Sequence, residues 1–380
     1  MKRVDLKIKS FIIKGALLFI PIIVIMGFSY FVISYSGEFT TVNEVIDKQK
    51  NSEIILYGLA YSDPTPYYKL KSVIDRNPRI IALGTSRVMQ FRSEFFLANT
   101  DFYNAGGGVR RVENLNLFLD NIPSGKEPEI IILGLDQNFF NPNWKDFLEE
   151  NNKLYTFSKR IDIFSNSWRK IYFDYYNGKF SINKILEKEN GSIGLNAIMN
   201  NRGFRNDGSY EYGNLINEFN SDNNSKLKGY FSLIKNEGSR FEYSNKISDN
   251  SLYELDRFLR RCKERNIYVI GFLPPYAHEI YLEIERMKIE YEYFFELEPT
   301  LNPIFKKYGY NIYNFSDLNS TGADACEVID GTHASDKAYL RLFILLAENE
   351  EALKNETNIS RLKFELNNSN SCYSVFTHNH

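Results

Sequence analysis

The sequence predicts an α/β fold built on a parallel sheet, with one membrane-spanning helix near its N-terminus. Three observations lead to this prediction. Five short apolar segments recur along the chain, segments with helical periodicity lie between them, and an uncharged stretch of 20 residues precedes them all. Strands that alternate with helices form right-handed βαβ units, whose helices cover both faces of a parallel sheet.

The uncharged stretch occupies residues 16–35 and reads ALLFIPIIVIMGFSYFVISY. About 20 apolar residues allow a helix to cross the roughly 30 Å hydrocarbon core of a bilayer. The apolar part of a secretory signal peptide is shorter, about 7–15 residues, so we expect an anchor that is not cleaved. Five Lys or Arg residues precede the stretch, and Glu38, Glu44 and Asp47 follow it. The positive-inside rule therefore predicts a cytoplasmic start and an extracytoplasmic body.

The rest of the chain is expected to fall into a stem, a domain and a tail. Residues 1–36 form the cytoplasmic start and the anchor, residues 37–78 the stem, residues 79–350 the α/β domain and residues 351–380 a polar, peripheral tail. The interval at about 141–246 is rich in Asn, Gly, Tyr and charge and interrupts the alternation of strands and helices. We interpret this interval as an insertion after the third strand.

The strands of the sheet are expected at apolar runs that have the length of a strand buried on both faces. These runs are residues 80–83, 102–104, 130–135, 268–273 and 312–315. Helices are expected where apolar residues recur at a spacing near 3.6. These segments are residues 110–121, 252–265 and 280–295.

Charge and cysteine content argue against several functional classes. The 46 Lys and Arg residues are balanced by 48 Asp and Glu residues, so the chain lacks the positive field that a nucleic-acid backbone requires. Three Cys and four His residues occur without the spacings of a zinc site. We therefore expect no nucleic-acid partner, no metal centre and no cofactor. The cysteines permit at most one internal disulfide.

Polar or glycine-rich turns follow four of the predicted strands. These turns are residues 84–87 (GTSR), 104–108 (NAGGG), 134–138 (GLDQN) and 330–333 (DGTH), the last of them before a helix with Ser335 as its predicted cap. In an open α/β sheet, ligands bind beyond the carboxyl ends of the strands, where such turns converge. We therefore expect the four turns to form one site.

Residue types in these turns predict acyl-transfer chemistry. The hydroxyl of Ser86 is a poor nucleophile at neutral pH and needs a base, which the imidazole of His333 can supply. Asp330 can accept a hydrogen bond from the other ring nitrogen and so hold the tautomer that leaves Nε2 free. Donors to a developing oxyanion are expected from the N–H groups of Ser86 and Gly108.

The four turns resemble the ordered sequence blocks of the SGNH, or GDSL-type, hydrolase superfamily. The resemblance implies a flavodoxin-like, three-layer sheet and a catalytic triad for esterase or acyltransferase activity. By position, Ser86 is the nucleophile, and His333 and Asp330 complete the triad. The resemblance also implies an oxyanion hole formed by Gly108, or the neighbouring Gly106, together with a residue of the third block.

The third block departs from the pattern of this superfamily. The superfamily usually carries Gly-x-Asn-Asp, whereas Asp136 stands at the position of the Asn. An ionised carboxylate facing an oxyanion would raise the barrier, which leaves three alternatives: Asn138 donates instead, Asp136 points elsewhere, or only backbone donors remain. Arg87, Arg110 and Tyr276 are candidate substrate contacts, with ion pairs at the surface as the alternative role for the arginines.

Together with its single span, the chain resembles membrane-anchored SGNH proteins that modify cell-envelope polymers, such as the teichoic-acid D-alanylation protein and the alginate and cellulose O-acetylation proteins. This resemblance implies a bacterial cell-membrane enzyme that acts on an envelope polysaccharide or teichoic-type polymer, beside a membrane-bound O-acyltransferase. Two other classes stay open, namely a non-catalytic assembly protein of the same fold and an anion-binding or phosphoryl-handling protein.

Overall fold

The structure is a computed structural model that describes residues 2–51, 54–144, 155, 159–188, 191–214, 216 and 223–376. The chain folds into two compact units, each described by itself below. Unit 1 comprises Met1–Asp63 and Phe157–Gly203, and unit 2 comprises Pro64–Thr156 and Phe204–His380.

Helices and strands alternate through much of the described chain. The helices are α1 (Lys2–Ser36), α2 (Val42–Asn51), α3 (Thr65–Arg76), α4 (Glu113–Asp120), α5 (Arg160–Tyr176), α6 (Ile182–Leu186), α7 (Leu195–Asn200), α8 (Asn223–Lys235), α9 (Asp249–Glu264), α10 (His278–Arg286), α11 (Glu292–Phe295), α12 (Leu297–Lys307), α13 (Asp336–Asn349), α14 (Glu351–Lys354) and α15 (Ile359–Asn368). The strands are β1 (Leu56–Tyr57), β2 (Ile80–Gly84), β3 (Phe102–Gly106), β4 (Ile130–Gly134), β5 (Ser192–Ile193), β6 (Gly203–Phe204), β7 (Tyr210–Glu211), β8 (Tyr268–Leu273) and β9 (Asn311–Asn314).

A five-stranded parallel sheet forms the centre of unit 2. Its strand order is β3-β2-β4-β8-β9, and every neighbouring pair is parallel. Counted along the chain within this sheet, the order is 2-1-3-4-5. The predicted α/β class with a parallel sheet is confirmed. The strand predicted at 268–273 has the same two ends in the structure. Three others differ by one or two residues at their C-terminal end, and the strand predicted at 312–315 is shifted by one residue at both ends.

Apolar side chains cover both faces of this sheet. Along β2, Ile80 and Ala82 belong to one core, whereas Ile81 and Leu83 belong to the other, because successive side chains of a strand point to opposite faces. Helices α10 and α13 contribute to the first core, and α4, α9 and α12 contribute to the second. Burial on both faces explains why β2 and β4 read as uninterrupted apolar runs. The edge strand β9 is only partly buried and carries Asn at both ends.

The predicted helices are present, with shifted ends. Helix α9 begins earlier than predicted, because the Ser248 hydroxyl accepts a hydrogen bond from the Ser251 N–H and caps the helix. The single helix predicted at 280–295 is two helices, α10 and α11, separated by turns at 287–291. The apolar pattern continues through this break because Tyr291 is buried there, and its hydroxyl is 2.7 Å from the carbonyl oxygen of Phe241. The predicted cap of α13 is confirmed, since the Ser335 hydroxyl accepts from the Ala338 N–H.

Unit 1 contains α1, which is long and apolar enough to cross a membrane. The apolar part of this helix is Ile8–Ser36, with an 18-residue window of mean hydropathy 2.6. After the helix, the buried carboxylate of Glu38 accepts hydrogen bonds from the N–H groups of Ala60, Tyr61 and Leu195 at 2.9–3.1 Å. Burial raises the pKa of Glu38, and these N–H donors act against the rise. Strands β1 and β5 pair in parallel in the same unit.

The boundaries between the two units differ from the predicted boundaries of the stem, the insertion and the tail. Helix α3, from the expected stem, belongs to unit 2, and Phe157–Gly203, from the expected insertion, belongs to unit 1. The described part of the expected tail packs onto unit 2 rather than lying at its periphery. Cys372 forms a disulfide with Cys326, and the Ser374 hydroxyl donates to Asp336 at 2.9 Å. Sequence composition carries no signal for these long-range contacts.

Replacing both Cys326 and Cys372 by Ser is expected to lower the free energy of unfolding. The disulfide joins residues 46 positions apart, and native disulfides contribute roughly 2–4 kcal/mol, in large part by restricting the unfolded chain. Chemical denaturation of the double variant, beside wild type with and without reductant, measures the loss. A denaturation midpoint that neither the substitution nor the reductant changes would contradict the expectation.

Candidate active site

The site lies where the strand order of the unit 2 sheet reverses. Strands β2 and β4 are neighbours there, although β3 stands between them in the sequence. In open α/β sheets, the crevice beyond the carboxyl ends of such strands is the usual ligand site. Strand β2 leads into the short 3₁₀ helix Ser86–Val88, and β4 leads into a second one, Gln137–Phe140.

Ser86, His333 and Asp330 lie together, as their spacing after the strands predicts. Ser86 Oγ is 2.9 Å from His333 Nε2, although 247 positions separate the two residues. His333 Nδ1 is 2.8 Å from Asp330 Oδ2. Ser86 is partly exposed and so is open to a substrate. The arrangement matches a nucleophile, a base and an orienting carboxylate.

The carboxylate of Asp330 is held by its own turn. Asp330 Oδ1 accepts hydrogen bonds from the N–H groups of Thr332 at 2.7 Å and His333 at 2.9 Å. Burial alone raises the pKa of Asp330, but the charge of His333 and these donors outweigh burial and hold the pKa below its usual value of 3.8. The carboxylate is therefore ionised at neutral pH, where it can orient the imidazole and stabilise its protonated form.

Two tyrosines that the sequence did not identify flank the histidine turn. The ring centroid of Tyr212 is 6.4 Å from that of the His333 imidazole, and the Tyr230 hydroxyl is 3.4 Å from Thr332 Oγ1. A Cβ atom on Gly331 would lie 2.7 Å from the Tyr230 ring, so this position requires glycine. Both tyrosines come from the interval at 141–246, where many tyrosines occur and none has a distinguishing motif.

The glycine turn after β3 does not present the predicted oxyanion donors. The Gly106 N–H donates to the Asn104 side chain at 2.8 Å, and the Gly108 N–H donates to the Ala105 carbonyl at 2.9 Å. The prediction that Gly106 and Gly108 form an oxyanion hole is therefore wrong for this structure, because the turn uses these groups to close on itself.

The Ser86 N–H remains as a donor for an oxyanion. Among the residues that the structure describes, none accepts a hydrogen bond from this group. In acyl-transfer sites, such a free backbone N–H beside the nucleophile can donate to a developing oxyanion.

Asp136 and Asn138 are both buried beside this turn. The carboxylate of Asp136 is 1% exposed and accepts a hydrogen bond from Thr85 Oγ1 at 2.9 Å. This contact matches the alternative in which Asp136 points elsewhere than at an oxyanion. Asn138 is 2% exposed, and its Oδ1 has no hydrogen-bond partner within the described parts of the chain.

Arg87 is a buried residue rather than the predicted substrate contact. Its guanidinium, in a side chain that is 2% exposed, donates to the carbonyl groups of Thr332 and Pro274 at 3.2 and 2.8 Å and to Gln137 Oε1 at 2.7 Å. It also lies 4.2 Å above the ring of Tyr276, which is itself 3% exposed. The predicted substrate contacts of Arg87 and Tyr276 are therefore wrong, because their polar groups face the protein interior.

Arg110 is partly exposed at the turn before α4, and its backbone N–H donates to Asn114 Oδ1 at 3.1 Å. Its substrate contact stays a prediction. His278 pairs with Asp317, with Nδ1 2.9 Å from Oδ1, and the hydroxyl of the nearby Ser320 donates to the Asp317 carbonyl rather than to the imidazole.

Comparisons with models of protein families, with curated proteins and with solved structures find no match to this chain. The chemistry of the site is therefore interpreted from its own geometry.

Replacing Asp330 by Asn is expected to destabilise the fold at neutral pH and to have less effect in acid. The lowered pKa of Asp330 gives stability that is fully present above the unfolded-state pKa near 3.9 and is lost as the pH falls through the folded-state pKa. Chemical denaturation of wild type and Asp330→Asn between pH 7 and about pH 3 measures the difference in their free energies of unfolding at each pH. If the difference in free energy of unfolding does not become smaller below about pH 4, the result would contradict a lowered pKa of Asp330.

Proposed function

We propose that the chain is a membrane-anchored, extracytoplasmic SGNH-like O-acyltransferase or esterase that acts on a cell-envelope polysaccharide or teichoic-type polymer through Ser86, His333 and Asp330. One observation carries the proposal: the 2.9 Å contact between Ser86 Oγ and an imidazole whose other nitrogen meets a carboxylate. The strand order 2-1-3-4-5 supports it, because flavodoxin-like folds have this order.

The chemistry has two steps. Ser86 Oγ attacks the carbonyl carbon of an acyl donor, and His333 Nε2 takes the hydroxyl proton. The bond to the leaving group breaks, and the leaving group receives that proton from His333. A polymer hydroxyl or water then gives its proton to His333 and attacks the acyl carbon, which returns the Ser86 hydroxyl. The acceptor determines whether the result is acyl transfer or hydrolysis.

Charge in the site changes during both steps. The imidazole becomes positive when it takes the proton, and the ionised Asp330 stabilises that charge. The acyl oxygen becomes negative, and the Ser86 N–H is positioned to donate to it.

Two features support an extracytoplasmic location. Basic residues lie in the first part of helix α1 and acidic residues follow its end, the asymmetry expected for a cytoplasmic N-terminus. The Cys326–Cys372 disulfide is of the kind that persists in oxidising compartments outside the cytosol. A membrane-bound O-acyltransferase as partner rests on the sequence resemblance alone.

A specific observation favours a second candidate, a non-catalytic assembly protein that keeps the fold. The N–H groups of Gly106 and Gly108 and the carboxylate of Asp136 are engaged within the protein. The oxyanion would then have fewer donors than the superfamily pattern implies. Under this candidate, His333→Ala would leave the cellular function intact.

A fluorophosphonate probe is expected to label the full-length protein at Ser86. Labelling should be lost in Ser86→Ala and slowed at least about 100-fold in His333→Ala, because a positioned general base contributes about 10²–10⁴. Ser93→Ala is the matched control, since the Ser93 hydroxyl bonds to Glu94 and not to a histidine. A folded wild type that stays unlabelled, with wild-type function of His333→Ala in cells, would favour the assembly protein instead.

A further inference from the structure

Helix α1 is exposed on every side along its first part and is covered on one face along its last part. Large apolar side chains from Ile8 to Ile25 are exposed, whereas Ser29, Val32 and Ile33 are fully buried within unit 1. The opposite face of the last part, with Tyr30, Phe31 and Tyr35, stays exposed. Protein therefore covers one face of the helix inside the uncharged stretch at 16–35, and the section exposed on every side is shifted toward the N-terminus.

The length of the exposed section suits a bilayer. Residues 8–25 are 18 residues, which at about 1.5 Å per residue span about 27 Å, close to the roughly 30 Å of a hydrocarbon core. Lys9 and Lys14 lie in the first half of the section, where long side chains can extend to the cytoplasmic surface.

Helix α5 packs against α1 at the outer end of the exposed section. The Tyr172 hydroxyl donates to the Ile25 carbonyl at 2.7 Å, and the Ser29 hydroxyl donates to the Trp168 carbonyl at 3.3 Å. The Phe28 ring lies 5.3 Å from the ring of Tyr172. These contacts fix the C-terminal half of α5 at the level of residues 25–29.

Large apolar and aromatic side chains of α5 remain exposed at this level. Phe173 is 63% exposed, Tyr175 48% and Tyr176 89%, all within the last turn of the helix. A cluster of exposed aromatic residues is unusual on a surface that faces only water. Aromatic side chains of this kind are enriched where a protein meets the boundary between lipid and water.

Basic residues accompany these rings. The Arg169 guanidinium is 5.1 Å from the Trp168 ring, and Lys179 Nζ is 5.6 Å from the Phe173 ring. Arg169 lies on α5, whereas Lys179 lies three residues beyond its end and also pairs with Asp174 at 2.8 Å. A segment that carries both aromatic and basic residues is typical of those that lie flat in the head-group layer, where the cations meet lipid phosphates.

We propose that α5 lies in the outer head-group layer of the membrane and inserts Phe173 and Tyr176 among the lipids. Unit 1 then has two attachments to the bilayer, α1 across it and α5 along its surface. The outer boundary of the hydrocarbon falls near residues 25–29, not near residue 35. The placement rests on the anchoring by α1 in the proposed function, and it is independent of the Ser86 chemistry.

The two tryptophans of the chain give a direct test. Trp144→Phe leaves Trp168 on α5 as the only tryptophan, and Trp168→Phe leaves Trp144, whose ring stacks on Phe139 in unit 2. Each full-length variant is reconstituted in vesicles of phosphatidylcholine and phosphatidylglycerol. The vesicles carry nitroxide-labelled lipids with the label either near the head group or at the bilayer centre.

Emission from Trp168 is expected to fall at least about two-fold with the shallow label and less with the deep label, since interfacial tryptophans lie at head-group level. Emission from Trp144, measured with the same two labels, gives the reference against which the quenching of Trp168 is compared. Adding Phe173→Gln and Tyr176→Gln to Trp144→Phe should reduce the quenching, whereas adding Tyr253→Gln, a comparably exposed tyrosine of unit 2, should not.

Extraction with alkaline carbonate separates the two ways in which the inference can fail. A protein that stays in the membrane while Trp168 is not quenched would overturn the placement of α5 and leave the anchor in place. A protein that carbonate removes would overturn the anchoring itself, and with it the placement. Neither outcome bears on labelling of Ser86 by the fluorophosphonate probe.

Discussion

The buried guanidinium of Arg87 connects the turns on which the candidate site depends. It donates to Gln137 after β4, to Pro274 after β8 and to Thr332 next to the histidine. Because Arg87 directly follows Ser86, these bonds hold the serine turn against the turn that carries the base. A buried carbonyl left without a donor costs about 1–3 kcal/mol. The Pro274 carbonyl also accepts from Gln137 Nε2 at 2.8 Å, so this cost applies to the Thr332 carbonyl. The contact between Ser86 and the imidazole thus depends on a positioning residue that is closed to substrate.

Asp136 belongs to the same buried arrangement. It accepts from Thr85, and its charge is among those that keep the Arg87 guanidinium protonated despite burial. An acidic residue where the superfamily has an amide is therefore compatible with the proposed chemistry, because its charge faces a cation and a hydroxyl. Under the proposed function, this arrangement leaves the Ser86 N–H as the donor to the developing oxyanion.

The sheet and the proximity of Ser86, His333 and Asp330 could be predicted because strands and polar turns leave local signals in the sequence. The apolar runs of β2 and β4 follow from burial on both faces, and Ser86 comes two residues after the end of β2, where ligand sites of such sheets lie. The role of Gly108 could not be predicted, because it depends on how the turn closes on itself. Arg87 looked like a substrate contact because charged side chains are rarely buried unless paired, and its partners come from three distant turns. The pairing of Leu56 with Ser192 in unit 1 likewise has no signal in either segment.

The formation of an acyl group on Ser86 tests the central claim most directly. Full-length protein is exposed briefly to p-nitrophenyl acetate, quenched in acid, digested and examined by peptide mass spectrometry. We predict that the peptide containing Ser86 carries an acetyl group in wild type and carries much less in His333→Ala. An unmodified Ser86 in folded wild type, or equal acetylation in the two proteins, would contradict the account.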